Sequence, residues 1–129
     1  MGSPRRVLVA DDYDDARDLY AVYLRSLGYE VVVASDGLQA LNSAMNLPID
    51  VVILDIAMPG LDGLEVLRRL RAAGNHVPVI TLTASTFPTV TDLATAAGCD
   101  LAMEKPCGPD ELERAICKVL DARAAMTRA

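Results

Sequence analysis

Apolar runs of strand length alternate along this chain with stretches in which apolar positions recur every three or four residues. The two periods are those of a buried strand and of one helix face. Arg5 to Ala10 reads as a first strand. Behind it, Ala16, Leu19, Tyr20, Tyr23, Leu24 and Leu27 fall at the i, i+3, i+4, i+7 spacing of a buried helix face, and Gly28 closes that helix in the left-handed cap role. Glu30 to Ala34 is a second strand, and Leu38, Leu41, Ala44 and Met45 mark a second helix before the break at Pro48. Val51 to Leu54 is apolar on successive residues, which predicts a strand covered on both faces, as in a parallel sheet.

The second half repeats the unit. Leu64, Leu67 and Leu70 predict a third helix closed by Gly74, and Val79 to Leu82 a fourth strand. Val90, Leu93, Ala94 and Ala97 predict a short fourth helix, started late by Phe87-Pro88 and closed by Gly98. Leu101 to Met103 is a brief fifth strand. A last helix follows Pro109, with Asp110 and Glu111 at its positive end and Leu112, Ala115, Ile116, Val119 and Leu120 facing inward. Five strand-helix units with right-handed crossovers make a doubly wound α/β sandwich with helices on both faces.

Polar chemistry gathers where the strands end. Asp11-Asp12, Asp55, Thr83 and Lys105 each close an apolar run. If those runs are neighbours in one parallel sheet, three carboxylates, a hydroxyl and an ammonium converge at its carboxyl edge, where such sheets bind ligands. That set suits phosphoryl transfer to an aspartate. Taken singly, the residues have plainer readings: an aspartate after a strand caps the next helix, a threonine turns a loop, a lysine is solvated. Asp62-Gly63 is read in that plain way, as turn and cap.

The order Asp11-Asp12, Asp55 followed by Met58-Pro59-Gly60 and Asp62-Gly63, Thr83-Ala84 and Lys105-Pro106 resembles the receiver domain of bacterial two-component response regulators. The resemblance covers residues 5–123, leaving 1–4 and 124–129 as flexible termini. It implies a flavodoxin-like five-stranded sheet in the order 2-1-3-4-5, which seats Asp11, Asp12 and Asp55 together. Packed carboxylates repel, and a divalent ion resolves the conflict. Magnesium, or manganese in its place, fits hard oxygen ligands that share a phosphoryl oxygen. By similarity, Asp12 and Asp55 would bind it directly, Asp11 through water, and the backbone carbonyl of Ala57 would complete the protein ligands. Asp55 would be the phosphoacceptor, Lys105 would neutralise the transferring oxygens, and Thr83 would engage the phosphoryl group once it arrives.

The implied function is a phosphoacceptor switch charged by a histidine kinase or a histidine phosphotransfer protein. The fourth helix, fifth strand and fifth helix would form the face for a downstream protein target. The alternative is a phosphorylation-independent binding module on the same fold. An enzyme of the flavodoxin-like or haloacid-dehalogenase type fits less well. Ala57 stands where that phosphatase pattern wants a second aspartate, and no Gly-rich phosphate loop follows the first strand. The chain is therefore expected to assist only its own aspartyl phosphorylation and dephosphorylation. Asp121 to Ala129 are too few for an output module, which implies a stand-alone receiver or the receiver portion of a larger sensor, and Asp55 to Gly60 is similar to receivers of hybrid histidine kinases.

Composition narrows the field. With 129 residues and 52% hydrophobic content, the chain is one domain with a real core, and its net charge of -6 argues against binding nucleic-acid phosphates. No run reaches the ~18 apolar residues of a membrane helix, and the first residues lack a signal peptide's apolar core, so a cytoplasmic location is expected. Cys99, Cys107 and Cys117 have no metal-type spacing and read as small thiols, while His76, the only histidine, reads as a solvated loop residue.

Two departures from the family pattern bear on mechanism. Ala102 stands three residues before Lys105, where the family carries a switching Tyr or Phe; signalling is then expected to run through the Thr83 to Pro88 loop or the fourth and fifth helices. Ala57 and Ser85 are small at positions whose side chains shield the acyl phosphate from water, so a short-lived phosphorylated form is expected. Replacing Ala57 by a bulkier residue should lengthen the lifetime of the aspartyl phosphate, followed by intact mass after the phosphodonor is removed. An unchanged decay would refute the steric argument.

Overall fold

The computed structural model describes residues 4–85 and 87–128. Five strands and five helices alternate: β1 (Arg6–Ala10), α1 (Asp14–Ser26), β2 (Glu30–Ala34), α2 (Gly37–Asn46), β3 (Val51–Asp55), α3 (Gly63–Ala72), β4 (Val79–Thr83), α4 (Pro88–Ala96), β5 (Leu101–Glu104) and α5 (Pro109–Arg128). The strands form one parallel sheet in the order β2-β1-β3-β4-β5. That is the predicted flavodoxin-like order.

Every residue of β3 and β4 is buried, as expected of central strands covered on both faces. Alternation along β1 divides the core. Val7 and Val9 join Tyr20 and Leu24 of α1 and Leu112 and Ile116 of α5 on one face; Leu8 and Ala10 join Ala40 and Ala44 of α2 and Val66, Leu67 and Leu70 of α3 on the other. Helix starts follow local chemistry. The side chains of Asp36 and Asp62 accept the N–H groups of Gln39 and Glu65 at 2.8 and 2.9 Å, and Pro88 and Pro109 open α4 and α5. Asp62 thus has the capping role read from the sequence.

The helix faces differ from the periodic pattern in detail. Leu19 (54% exposed), Leu27, Leu38, Met45 and Leu93 lie on the surface, while Ala21, Ala40 and Val66, outside the predicted stripes, are buried. Which side of a helix meets the sheet decides burial, and that line carries Ala21, Ala40 and Val66 along with Leu24, Leu67 and Leu70, while leucines at its margin stay wet. The last helix also runs past residue 123. Residues 124–128, read as part of a flexible terminus, continue α5, because the Ala-rich stretch from Ala122 to Met126 favours helix and holds no breaker. Residues 1–3 and 129, the rest of the expected termini, lie outside the described residues.

The loop between β3 and α3 closes tightly against the sheet edge. Gly63 N–H donates to the carbonyl of Ile56 at 2.9 Å, and a Cβ on Gly63 would stand 2.3 Å from the carbonyl oxygen of Asp55. Both neighbours are backbone and cannot yield. Gly63→Ala is therefore expected to lower stability by about 2–3 kcal/mol, through displacement of the loop that follows Asp55. The midpoint of urea unfolding at unchanged m-value measures it; a loss within about 0.5 kcal/mol would show that the loop gives way freely.

Candidate functional site

The register of the sheet assembles the polar residues. Ala10 pairs with Leu54, so Asp11, one residue beyond β1, lies beside Asp55 at the end of β3; Asp55 pairs with Leu82, one residue before Thr83; Thr83 pairs with Glu104, one residue before Lys105. Four neighbouring strands deliver these groups to the carboxyl edge, the first supplying both Asp11 and Asp12.

At its centre, Lys105 Nζ donates to Asp11 Oδ2 and Asp55 Oδ2, each at 3.1 Å. Asp11 and Asp55 are buried, while Asp12 is exposed to solvent. One carboxylate oxygen from each of the three lies within 4.8 Å of the others. Three clustered carboxylates, two of them bonded to one ammonium, leave excess negative charge. Burial above all drives the Asp55 carboxyl up to about 6, aided by the neighbouring Asp11 charge; the hydrogen bond and positive charge of Lys105 and the N–H of Ala57 act against it. Lys105 is itself raised, because its bonds to the two carboxylates outweigh its own desolvation. A set of hard oxygens, under-neutralised and open to water through Asp12, fits a divalent cation of the magnesium type.

The remaining groups surround this centre. Ala57 is exposed, and its N–H donates to Asp55 Oδ1 at 3.2 Å. Thr83 is buried, and its hydroxyl oxygen accepts the N–H of Ser85 at 3.0 Å; Ser85 Oγ in turn accepts the N–H of Phe87 at 3.2 Å. Asp11 also accepts the N–H of Tyr13 through Oδ1 at 2.9 Å, so it orders the turn into α1 as well as facing Lys105. The backbone N–H of Lys105 donates to the carbonyl of Thr83 at 2.7 Å, and the Lys105–Pro106 peptide is cis.

Residues the sequence left aside lie elsewhere or behind the site. His76 is exposed on the loop before β4, at the opposite edge of the sheet. Cys99, Cys107 and Cys117 are free thiols spread over three separate segments. Thr86, inside the expected signalling loop, lies outside the described residues. Sequence reasoning took Tyr20 for core alone. Its hydroxyl donates to the backbone carbonyl of Cys107 at 2.8 Å, two residues beyond Lys105, and only a polar atom on an inward helix position hinted at that. No helix of the described residues is long and apolar enough to cross a membrane.

Comparison with known proteins points one way. The model of the response regulator receiver domain matches residues 7–117. The response regulator MprA of Mycobacterium sp. (strain KMS) is 40% identical over 109 residues, 84% of this chain and 47% of that protein. The chain thus spans about half the length of the curated relatives it matches. A CheY-like response regulator receiver domain protein from Methanospirillum hungatei JF-1 superposes with a TM-score of 0.90 at 26% identity, over 96% of this chain and 99% of that one. The receiver domain of the sensor histidine kinase PA1611 from Pseudomonas aeruginosa PAO1, which has a magnesium ion coordinated in its active-site cleft, superposes at 0.83 with 32% identity, over 92% and 98%.

The raised Asp55 carboxyl makes metal-free stability depend on pH. Its folded-state value lies above the ordinary 3.8, so the native state holds this proton more tightly than the unfolded chain. The resulting stabilisation is complete below about 3.8 and is lost as pH rises through about 6. Asp55→Asn removes that titration. The variant should gain about 1–2 kcal/mol over the native chain above pH 7 and nothing near pH 4, in urea unfolding without divalent ions. Saturating magnesium should flatten the native chain's loss; an equal gain at both pH values would refute the assignment.

Proposed function

This chain belongs to the response regulator receiver family, and from that premise we propose that it is a phosphoacceptor switch of a two-component phosphorelay. In this reading it accepts a phosphoryl group from a phosphohistidine onto Asp55, with magnesium or manganese bound. The observation that carries the reading is the ammonium of Lys105 bridging Asp11 and Asp55 at 3.1 Å, with Asp12 within reach at the open side.

Asp11, Asp12, Asp55 and the backbone carbonyl of Ala57 would hold the metal. When bound, the ion would supply positive charge against the oxygens of the transferring group. A magnesium ion in the cleft of the similar PA1611 receiver supports its presence here. Asp55 acts as the nucleophile in its ionised form, which prevails above a carboxyl value of about 6. Its oxygen forms the new bond to phosphorus as the bond from phosphorus to the imidazole nitrogen of the donor breaks, the electron pair leaving with that nitrogen. Lys105 already faces the attacking oxygens and neutralises charge on the moving group.

Thr83 reports the result. Its hydroxyl oxygen is engaged by Ser85 N–H, and its proton is available to a phosphoryl oxygen. Turning toward that oxygen pulls on the Ser85 and Phe87 contacts, which gives the segment before α4 two arrangements to choose between. With Ala102 in β5 in place of the family's aromatic ring, this segment and the α4–β5–α5 face are the route to a downstream protein. Phe87, 72% exposed, and Leu93 offer apolar contacts on that side. The donor is a histidine kinase or a histidine phosphotransfer protein, the setting is the cytoplasm, and net negative charge disfavours nucleic acid as a partner of this domain. Turnover is confined to the chain's own aspartyl phosphate. The second reading, a phosphorylation-independent binding module, draws on Ala102 alone.

Intact mass after incubation with phosphoramidate should show one added phosphoryl group, only with magnesium present and absent in Asp55→Asn. No gain in a folded chain shown separately to bind magnesium would leave the binding module. In the same samples, amide NMR shifts are expected to spread into α4. Shifts confined to residues around Asp55 would sink the proposed signalling route.

A further inference from the structure

The position of Lys105 depends on the backbone that follows it. Its own N–H is tied to Thr83 at the end of β4, but Pro106 has no N–H to give. Beyond it, Gly108 is held by the first turn of the helix it precedes: its N–H donates to Glu111 Oε1 at 3.4 Å and its carbonyl accepts from Leu112 N–H at 3.0 Å. The Cys107 thiol donates to the Gly108 carbonyl at 3.6 Å, again locally. Among the described residues, the hydrogen bond that ties residues 106–108 to another element of the fold is the one from Tyr20, at 2.8 Å to the Cys107 carbonyl.

Tyr20 is well placed to hold that carbonyl. It is 5% exposed, packs in the core with Leu24, Cys107 and Leu112, and belongs to α1, whose entry turn is ordered by Asp11. We infer that Tyr20 is a positioning residue for Lys105: its hydroxyl ties the segment after Lys105 to the helix that follows Asp11 and Asp12, so the ammonium stays over Asp11 and Asp55. Burial above all raises the phenol, so at neutral pH it remains a protonated donor. The small Cys107 side chain leaves room for the tyrosine ring beside it, and a phenylalanine at position 20 would fill the same room with no bond to the carbonyl. The inference rests on the proposed role of Lys105 in neutralising the transferring group.

A merely structural tyrosine would change stability alone, whereas a positioning one separates metal binding from transfer. The experiment compares the native chain with Tyr20→Phe and with Ile116→Val, a variant on α5 in the same core cluster that takes no part in the hydrogen bond. For each it measures urea stability, magnesium affinity by amide NMR titration, the phosphorylation rate with phosphoramidate at saturating magnesium, and backbone order parameters of residues 105–108. In Tyr20→Phe, magnesium affinity should stay within about twofold, because the metal-holding residues lie on other segments, while the rate falls about two- to tenfold, the factor one buried hydrogen bond carries. Order at 105–108 should fall, and Ile116→Val should keep the native rate despite its own stability loss. A native rate in Tyr20→Phe, a loss no greater than in Ile116→Val, or a rate that falls only in step with magnesium affinity would overturn the inference. If the native chain takes no phosphoryl group at all, the proposed function fails separately. The order parameters then decide alone: lowered order upholds the hold of Tyr20 on the segment, and unchanged order overturns it.

Discussion

The arrangement turns on one electrostatic constraint: two buried carboxylates share a single ammonium at the carboxyl edge of the sheet, with a third, exposed carboxylate beside them. Bringing like charges together out of water is unfavourable, and Lys105, placed at 3.1 Å from Asp11 and Asp55, offsets only part of it. The residue of that conflict is visible as the raised carboxyl of Asp55. A site left in this condition has a standing preference for added positive charge, and a divalent ion shared with a phosphoryl group meets it.

The rest of the fold serves to hold that conflict in place. β3 and β4 are fully buried, with two layers of helices packed against them, so their ends cannot retreat from one another. Gly63 brings the β3–α3 loop against the Asp55 carbonyl at a distance no side chain would allow, and Gly37 makes a comparable approach to Leu61 between α2 and the same loop. The connection through Thr83, Ser85 and Phe87 is lighter, made of single hydrogen bonds near the surface. That contrast suits a rigid reaction centre with a compliant reporter beside it.

How much was legible in the chain depends on the range of the interaction. All five strands and five helices were visible in the hydrophobic period, and Asp62 was visible as a cap, because each is set by neighbours a few residues apart. The exact helix faces were less so. Leu19, Leu38 and Leu93 matched the period yet lie exposed, since periodicity ranks residues by polarity and takes no account of how closely a helix can approach its sheet. The extension of α5 was missed for another reason: a run of good helix formers carries no signal for where it stops.

By itself, the order of residues determined the alternation of elements, the polar groups at the strand ends and the excess of negative charge among them. It did so because strand ends and charge are local properties of the chain. The tertiary structure alone decided that Lys105 would bridge Asp11 and Asp55, partners 94 and 50 residues away, and that Tyr20 would reach Cys107 across 87. Those distances close only through strand register and helix packing, which no short window of sequence contains. The same closure sets how far Asp55 is buried, and so how strongly it resists its charge.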